Sequence, residues 1–304
     1  MLDQYAEQVR LLLGVLPDIA AEKIFALKGG TAINLFYRDM PRLSIDIDLT
    51  YLPISDRAAS LKDIDLTLDR IMRAVARRNP RVQVRRIAGG GRSDTRILAH
   101  TGQVQVKIET SAVIRGAVCR PTMMTVSDAV AEHFGFAEMN ILAFEDLYGG
   151  KLHAALDRQH PRDLFDIMIL YENEGLTEDL FRVFMVYVAS SGRPMHELLT
   201  PPACFKEELY DGEFVGMTRK AVAKEVLIAT QARLYADIQE RLSGDMADFL
   251  LSLHDAEPDF GLIGIPEALD LPAVRWKLAN LEKLRRNNPE KHAIQRNSLE
   301  DLFQ

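Results

Sequence analysis

The chain has 304 residues, enough for one large domain or two ordinary ones, and its 47% hydrophobic and 27% charged residues suit a soluble globular protein with a substantial core. A formal net charge of -7 argues against a protein coated all over with nucleic acid. With no run of about 18 apolar residues and no charged-then-apolar leader, neither a membrane span nor a signal peptide is expected. Cys119 and Cys204 are too few for a disulfide framework and lack metal-site spacing, which fits a reducing cytoplasm.

Residues 4–16 carry apolar side chains at helical intervals and predict an amphipathic helix closing near Gly14 and Pro17. Helix-like spacing resumes at Ile19 and runs into a short apolar piece, 24–27, the expected first strand, which Gly29-Gly30 breaks. Thr31 opens another helix with Ile33, Leu35 and Phe36 on its apolar side. Met40-Pro41 ends that helix, because the residue before a proline is pushed out of helical geometry. Ser44-Ile45-Asp46-Ile47-Asp48 then reads as a strand, with Ser44, Asp46 and Asp48 on one face and Leu43, Ile45, Ile47 and Leu49 on the other. Two adjacent carboxylates repel each other and are costly to bury without positive charge between them. A divalent metal is the usual solution, with Mg²⁺ favoured because it takes one or two carboxylates plus substrate phosphates.

A long helix is expected over 56–78, with Leu61, Ile64, Leu68, Ile71, Met72 and Val75 at spacings near three and four, terminated by Asn79-Pro80. Three antiparallel neighbours follow at 82–87, 95–100 and 104–110. The first two are joined across Gly89-Gly90-Gly91, read as a hairpin connection because no helix start follows it. Val104, Val106 and Ile108 share one face and Gln105, Lys107 and Glu109 the other, so Glu109 can stand beside the aspartate strand as a third carboxylate. The run Arg73, Arg77, Arg78, Arg81, Arg85, Arg86 and Arg92 faces one acid, Asp94, and the tail 275–296 is basic through Lys277, Lys283, Arg285, Arg286 and Lys291. Such blocks are either solvated helix faces or contacts to the phosphates of a nucleotide or an RNA.

Beyond 140 the pattern is helical: 144–158, 161–173, 177–190, 218–242, 245–254 and 272–286. A strand-rich part, 1–140, and a helical part, 141–304, predict an α+β chain of two domains. Within 143–171, Leu147, Lys151, Ala154 and Arg158 recur at spacings of three and four, and Asp163 and Asp166 are neighbours on the next helix. Alone, Arg162, Asp163 and Asp166 read as helix capping and a salt bridge. Beside the Asp-x-Asp pair, Lys151 is expected to grip a triphosphate. His100, His133 and His153 lack metal-ligand spacing and belong at the surface or in helix packing, and Trp276 is expected to pack against the helical domain.

Lys28-Gly29-Gly30-Thr31, Arg42-Leu43-Ser44-Ile45-Asp46-Ile47-Asp48-Leu49, Lys151-Leu152-His153-Ala154 and Arg162-Asp163-Leu164-Phe165-Asp166 resemble the motifs of the AbiEii/AbiGii nucleotidyltransferase toxin family, to which the mycobacterial MenT toxins are similar. These are toxins of bacterial toxin–antitoxin and abortive-infection (antiviral) systems, and the resemblance covers roughly residues 24–171. It implies a mixed sheet flanked by helices, of the DNA polymerase β type, with a helical domain completing the active site. It also implies that Gly29, Gly30, Thr31, Ser44, Lys151, Arg158 and Asp166 bind the nucleotide. Asp46 and Asp48, with Glu109, would hold Mg²⁺ (or Mn²⁺), Glu109 serving alternatively as the base, with Lys107 as a local charge partner. Lys151 and Asp163 complete the implied catalytic set. The gap from Thr31 to Asp46 is longer than in the simplest pattern of that superfold.

The activity so implied moves a nucleotide from an NTP to an RNA, in first place a tRNA 3′ end, and blocks translation. Two alternatives stand beside it. One is phosphorylation or nucleotidylation of a protein such as the cognate antitoxin. The other is a non-catalytic nucleotide- or partner-binding module, against which the retained Asp-x-Asp pair, Lys151 and Asp163 argue.

Overall fold

In a computed structural model describing residues 2–87, 95–202 and 204–303, the chain forms two compact units, Met1–Ala143 and Phe144–Gln304. The Gly89-Gly90-Gly91 connection, Arg92 and Asp94 lie outside the described residues.

The first unit opens with helix α1 (Leu2–Ala20), then β1 (Phe25–Lys28), α2 (Gly29–Ala32, continuing as a π-helical turn, Ile33–Tyr37) and β2 (Ile47–Tyr51). Helix α3 (Arg57–Arg78) starts where the Asp56 carboxylate accepts from the backbone N–H groups of Ala58 and Ala59, satisfying donors a helix start leaves open. Strands β3 (Gln83–Arg86), β4 (Arg96–His100), β5 (Gln105–Thr110) and β6 (Thr122–Thr125), helix α4 (Asp128–Phe134) and strand β7 (Glu138–Ile141) complete the unit. One seven-stranded sheet results, in the order β3-β4-β5-β2-β1-β7-β6. The β2–β5 and β1–β7 pairs are parallel and the other neighbours antiparallel.

Register and alternation divide this sheet into two chemically different faces. Phe25, Leu27, Ile47, Leu49, Ile97, Ala99, Val106 and Ile108 share a face and are buried. Helices α1 and α3 cover that face, α1 against β5 and β7 and α3 against β3, with Leu12, Leu16, Ile64, Leu68 and Ile71 buried. The other face carries Lys28, Asp48, Glu109, Lys107 and Arg96.

Two expectations need correction here. Strand β2 begins only at Ile47, so Ser44 and Asp46 precede it in irregular backbone. The helix after Gly29-Gly30 ends at Tyr37, and Met40 adopts a left-handed φ of 51° before Pro41. Strands β6 and β7 were not foreshadowed. Each is four residues long, and β6 is an edge strand exposed at three of its four positions, which leaves little alternation to read.

The second unit is helical: α5 (Phe144–Asp157), α6 (Pro161–Asn173), α7 (Glu178–Ala189), α8 (Met195–Leu199), α9 (Glu207–Glu213), α10 (Lys224–Arg241), α11 (Asp245–His254), α12 (Pro272–Asn287) and α13 (Pro289–Glu300). Short 3₁₀ turns occupy Pro266–Asp270 and Asp301–Phe303. Helix α5 lies closely against α7 because Gly149 and Gly150 present no side chain to the Tyr187 ring; a Cβ on Gly149 would stand 3.1 Å from it. Trp276 corrects another expectation. On α12 the inward positions are Ala273, Val274, Lys277 and Leu281, which turns Trp276 outward, 60% exposed.

Replacing Gly149 by leucine should force α5 away from Tyr187 and Val183 and lower stability by about 1–3 kcal/mol, the usual cost of overpacking. Thermal unfolding of the variant would check this, and an unchanged midpoint would refute it.

Candidate active site

Within the first unit the candidate residues meet at the junction of β1, α2 and β2. Gly29 has a left-handed φ of 74°, and a Cβ there would fall 2.9 Å from Asp48 Oδ2. A Cβ on Gly30 would lie 2.5 Å from Arg42 Nη2 and 2.8 Å from Ser44 Oγ. Both glycines are therefore required by close approach, the first also by its backbone conformation.

Hydrogen bonds then tie this turn to the segment leading into β2. Thr31 Oγ1 donates to the Asp46 carbonyl at 2.5 Å and stands 3.0 Å from Ser44 Oγ. Since Thr31 has one proton, Ser44 donates to Thr31, and both hydroxyl protons are used inside the chain in this arrangement. Asn34 Nδ2 donates to the Gly30 carbonyl at 2.8 Å, and buried Arg42 donates to the Leu43 carbonyl at 2.8 Å. Asn34 and Arg42 carried no role in the sequence reading. Their signal was faint: an arginine shortly before the aspartates and an asparagine one helical turn after Gly30.

Asp48 lies in a row of charges that crosses four strands. Lys28 of β1 stands opposite it on one side and Glu109 of β5 on the other, and Glu109 in turn faces Arg96 of β4. Burial pushes the Asp48 carboxyl up; Lys28 opposes this, Asp46 and Glu109 add to it, and Lys107 opposes it more weakly. Glu109 has one oxygen in an ion pair with Arg96 and the other 3.2 Å from Lys107 Nζ. Lys107 also reaches to 4.0 Å from Asp46 Oδ2, so it is the charge partner of both acids.

The donor set can be weighed for a cation. Among the described residues, no group of three or more His, Cys, Asp or Glu side chains is arranged to hold a metal ion. Asp46 and Asp48 remain as two oxygen donors, one half-exposed and one half-buried with its charge poorly compensated. That pair fits Mg²⁺, which binds through one or two carboxylates and completes its shell with water and phosphate.

The second unit holds the other group. Lys151 of α5 is buried, with Nζ 2.9 Å from Asp163 Oδ1 and 2.9 Å from Asp166 Oδ2, both on the first turns of α6. Arg158, just past the end of α5, donates Nε to Asp163 Oδ2 at 2.7 Å and Nη2 to Oδ1 at 3.1 Å, while its side chain stays 62% exposed. Burial would raise the Asp163 carboxyl, but Lys151 and Arg158 override it and hold it well below the usual carboxylate range. His160 caps α6 by accepting from the Arg162 N–H, and its ring and Arg162 both meet Glu213.

His153 is half-buried, and its buried Nε2 has no hydrogen-bond partner among the described residues, in keeping with helix packing. Much of the basic sequence is neutralised internally. Arg70 pairs with Glu22, Arg78 with Asp18, Arg86 with Asp65 and Asp69, Arg285 with Glu257 and Arg296 with Asp255, and Lys277 is buried.

Removing one partner of the buried Lys151–Asp163–Asp166 cluster leaves charge unbalanced. Asp163→Ala should therefore cost about 3 kcal/mol at neutral pH, the low end for buried pairs because Asp166 still holds Lys151. A depressed carboxyl contributes fully above its unfolded value near about pH 4 and loses that contribution as pH falls further. The gap between wild type and variant in thermal unfolding should be widest at neutral pH and shrink at more acidic pH; a gap independent of pH would contradict the assignment.

Comparison with known proteins places this geometry. The sequence model described as nucleotidyl transferase AbiEii toxin, type IV toxin–antitoxin system, matches residues 10–280. Among solved structures the chain is similar to MenT4, a nucleotidyltransferase toxin from Mycobacterium tuberculosis H37Rv, with 14% sequence identity and a TM-score of 0.59 over 99% of this chain and 92% of that one. At that identity the likeness establishes the shared fold, an α+β nucleotidyltransferase architecture. A comparison with curated protein sequences gives no match. Since the family match spans most of the chain, including the Gly-Gly-Thr turn, the aspartate pair and the Lys151–Asp163 cluster, the chain belongs to the AbiEii family of nucleotidyltransferase toxins of type IV toxin–antitoxin systems.

Proposed function

We propose that the protein is a Mg²⁺-dependent enzyme that transfers a nucleotide from an NTP to an RNA acceptor, in first place a tRNA 3′ end, with arrest of translation as the outcome. The observation that carries this reading is Asp48: a half-buried carboxylate beside Asp46 and Glu109, held on strand β2 where a cation would relieve its unfavourable charge. Asp46 and Asp48 would hold the metal. When bound, Mg²⁺ supplies charge stabilisation as pyrophosphate departs.

The remaining roles fall to the chain itself. Gly29 and Gly30, directly after β1, let Asp48, Arg42 and Ser44 pack closely against that turn. Thr31 and Ser44 act through their bonds to each other and to the Asp46 carbonyl, fixing where that aspartate stands. The acceptor hydroxyl attacks the α-phosphorus, a phosphorus–oxygen bond forms as the bond to pyrophosphate breaks, and the hydroxyl proton passes to Glu109. Arg96 and Lys107 position that glutamate. Exposed Arg158 is assigned to the nucleotide phosphates, with Lys151 and Asp163 as its positioning residues and Asp166 as the second anchor of Lys151. A cognate antitoxin is the expected partner of such a toxin. Among the described residues no helix is long and apolar enough to cross a membrane.

Incubation with each α-labelled NTP, Mg²⁺ and total tRNA should place label in RNA for one NTP. Asp48→Ala should reduce incorporation at least 100-fold. Mg²⁺ should raise the thermal midpoint of the wild type but not of an Asp46→Asn/Asp48→Asn double variant, since only the former gains the binding free energy. Label on protein with none on RNA would favour the antitoxin-modifying alternative, and equal incorporation by Asp48→Ala would remove the reading altogether.

A further inference from the structure

The sheet face that carries Asp48 and Glu109 continues beyond them. Lys107 pairs with Leu98, and Leu98 with Arg85; Gln105 pairs with His100, and His100 with Gln83. Paired residues share a face, so Arg85, His100 and the two glutamines extend the carboxylate-bearing face across β4 to the sheet edge at β3. Arg85, Gln83 and Gln105 are exposed and His100 is half-buried. Neither β3 nor β4 contains an acidic residue, and Arg85 makes no ion pair among the described residues.

The adjacent arginine behaves differently. Arg86 points to the opposite face and is held by Asp65 and Asp69 of α3. Arg73 and Arg77, both exposed on α3, belong to that opposite side too, where they line a cleft of about 690 Å³ together with Asp18 and Glu22. Arg86 is thus spent on acids of α3, whereas Arg85, among the described residues, makes no ion pair and stands beside hydrogen-bonding side chains.

From this division we infer that the single-stranded end of the RNA acceptor lies across the carboxylate-bearing face of β5, β4 and β3, running from the carboxylates past buried Leu98 to Arg85. This surface deepens, and rests on, the RNA-acceptor reading given above. Three strand spacings of about 4.8 Å separate β2 from β3, roughly 14 Å, or about four nucleotides at the 3.4 Å rise of a stacked strand. Arg85 meets a backbone phosphate near the far end of that path, and His100 and the glutamines offer donors and acceptors to sugar and base edges between.

The test uses a 5′-fluorescein RNA hairpin bearing a four-nucleotide single-stranded 3′ overhang, with a blunt hairpin as control, read by anisotropy against the full-length protein. The overhang should bind at least ten-fold more tightly than the blunt form. Arg85→Glu should weaken overhang binding at least ten-fold and reduce the salt slope by about one. The Arg73→Glu/Arg77→Glu pair should stay within two-fold of wild type, and circular dichroism would confirm that each variant is folded. Unchanged binding by Arg85→Glu, an equal loss in the helix pair, or no RNA binding by the wild type would overturn the surface. Label transfer, measured in parallel, separates the two readings. Transfer to RNA with an unchanged KM for RNA in Arg85→Glu sinks the surface alone. Absence of transfer, with the binding pattern intact, sinks the catalytic reading alone.

Discussion

Asp48 is a half-buried carboxylate with one like charge, Asp46, two residues before it and another, Glu109, across the sheet, and much of the first unit is arranged around tolerating it. The row Lys28–Asp48–Glu109–Arg96 alternates as plus, minus, minus, plus over four neighbouring strands. At an effective dielectric of about 20, unit charges about 5 Å apart interact by roughly 3 kcal/mol. Along the row two attractive contacts and one repulsive contact leave about one pair's worth of attraction against the cost of desolvating its two carboxylates. The flanking lysine and arginine make the row tolerable without making the two acids comfortable. Lys107, between Asp46 and Glu109, performs the same service one step along the face. Such a site is stable enough to fold and still has something to gain from a bound cation.

The geometry that keeps this row in place is made from small residues and short bonds. Gly29 and Gly30 exist as glycines because Asp48, Arg42 and Ser44 occupy the space where side chains would be. Thr31 and Ser44 then fasten the Asp46 backbone. A polar network satisfied within the chain specifies one arrangement more sharply than apolar contact does. These residues therefore shape the site by holding its aspartates still.

In the second unit the corresponding organiser is an ion cluster. Lys151 lies between Asp163 and Asp166, and Asp163 in turn holds the exposed Arg158 by two hydrogen bonds. Burying these charges is worthwhile only because each carboxylate is engaged by a cation, and Asp163 by two. The rigid consequence is a guanidinium presented to solvent from an anchored base, a suitable device for an anionic ligand.

Local pattern carried the element types, since helical and strand periodicities depend on side chains a few residues apart. The α+β division, the antiparallel β3–β4–β5 run and the paired Asp163 and Asp166 were all readable at that range. The pairing of Asp48 with Glu109 was anticipated as a neighbourhood, yet the cations bracketing it, Lys28 and Arg96, come from strands 20 and 48 residues away in the sequence. No periodicity joins them; only strand order and register do. The same holds for the arginines. In sequence Arg85 and Arg86 are one basic block, whereas the pleat sends them to opposite faces, Arg86 to acids on α3 and Arg85 to solvent at the far edge of the face that carries the carboxylates. Residue type and spacing determined which chemistry this chain could hold, and tertiary pairing decided which charges are spent on folding and which remain for a ligand, because that choice depends on neighbours brought together across the sheet.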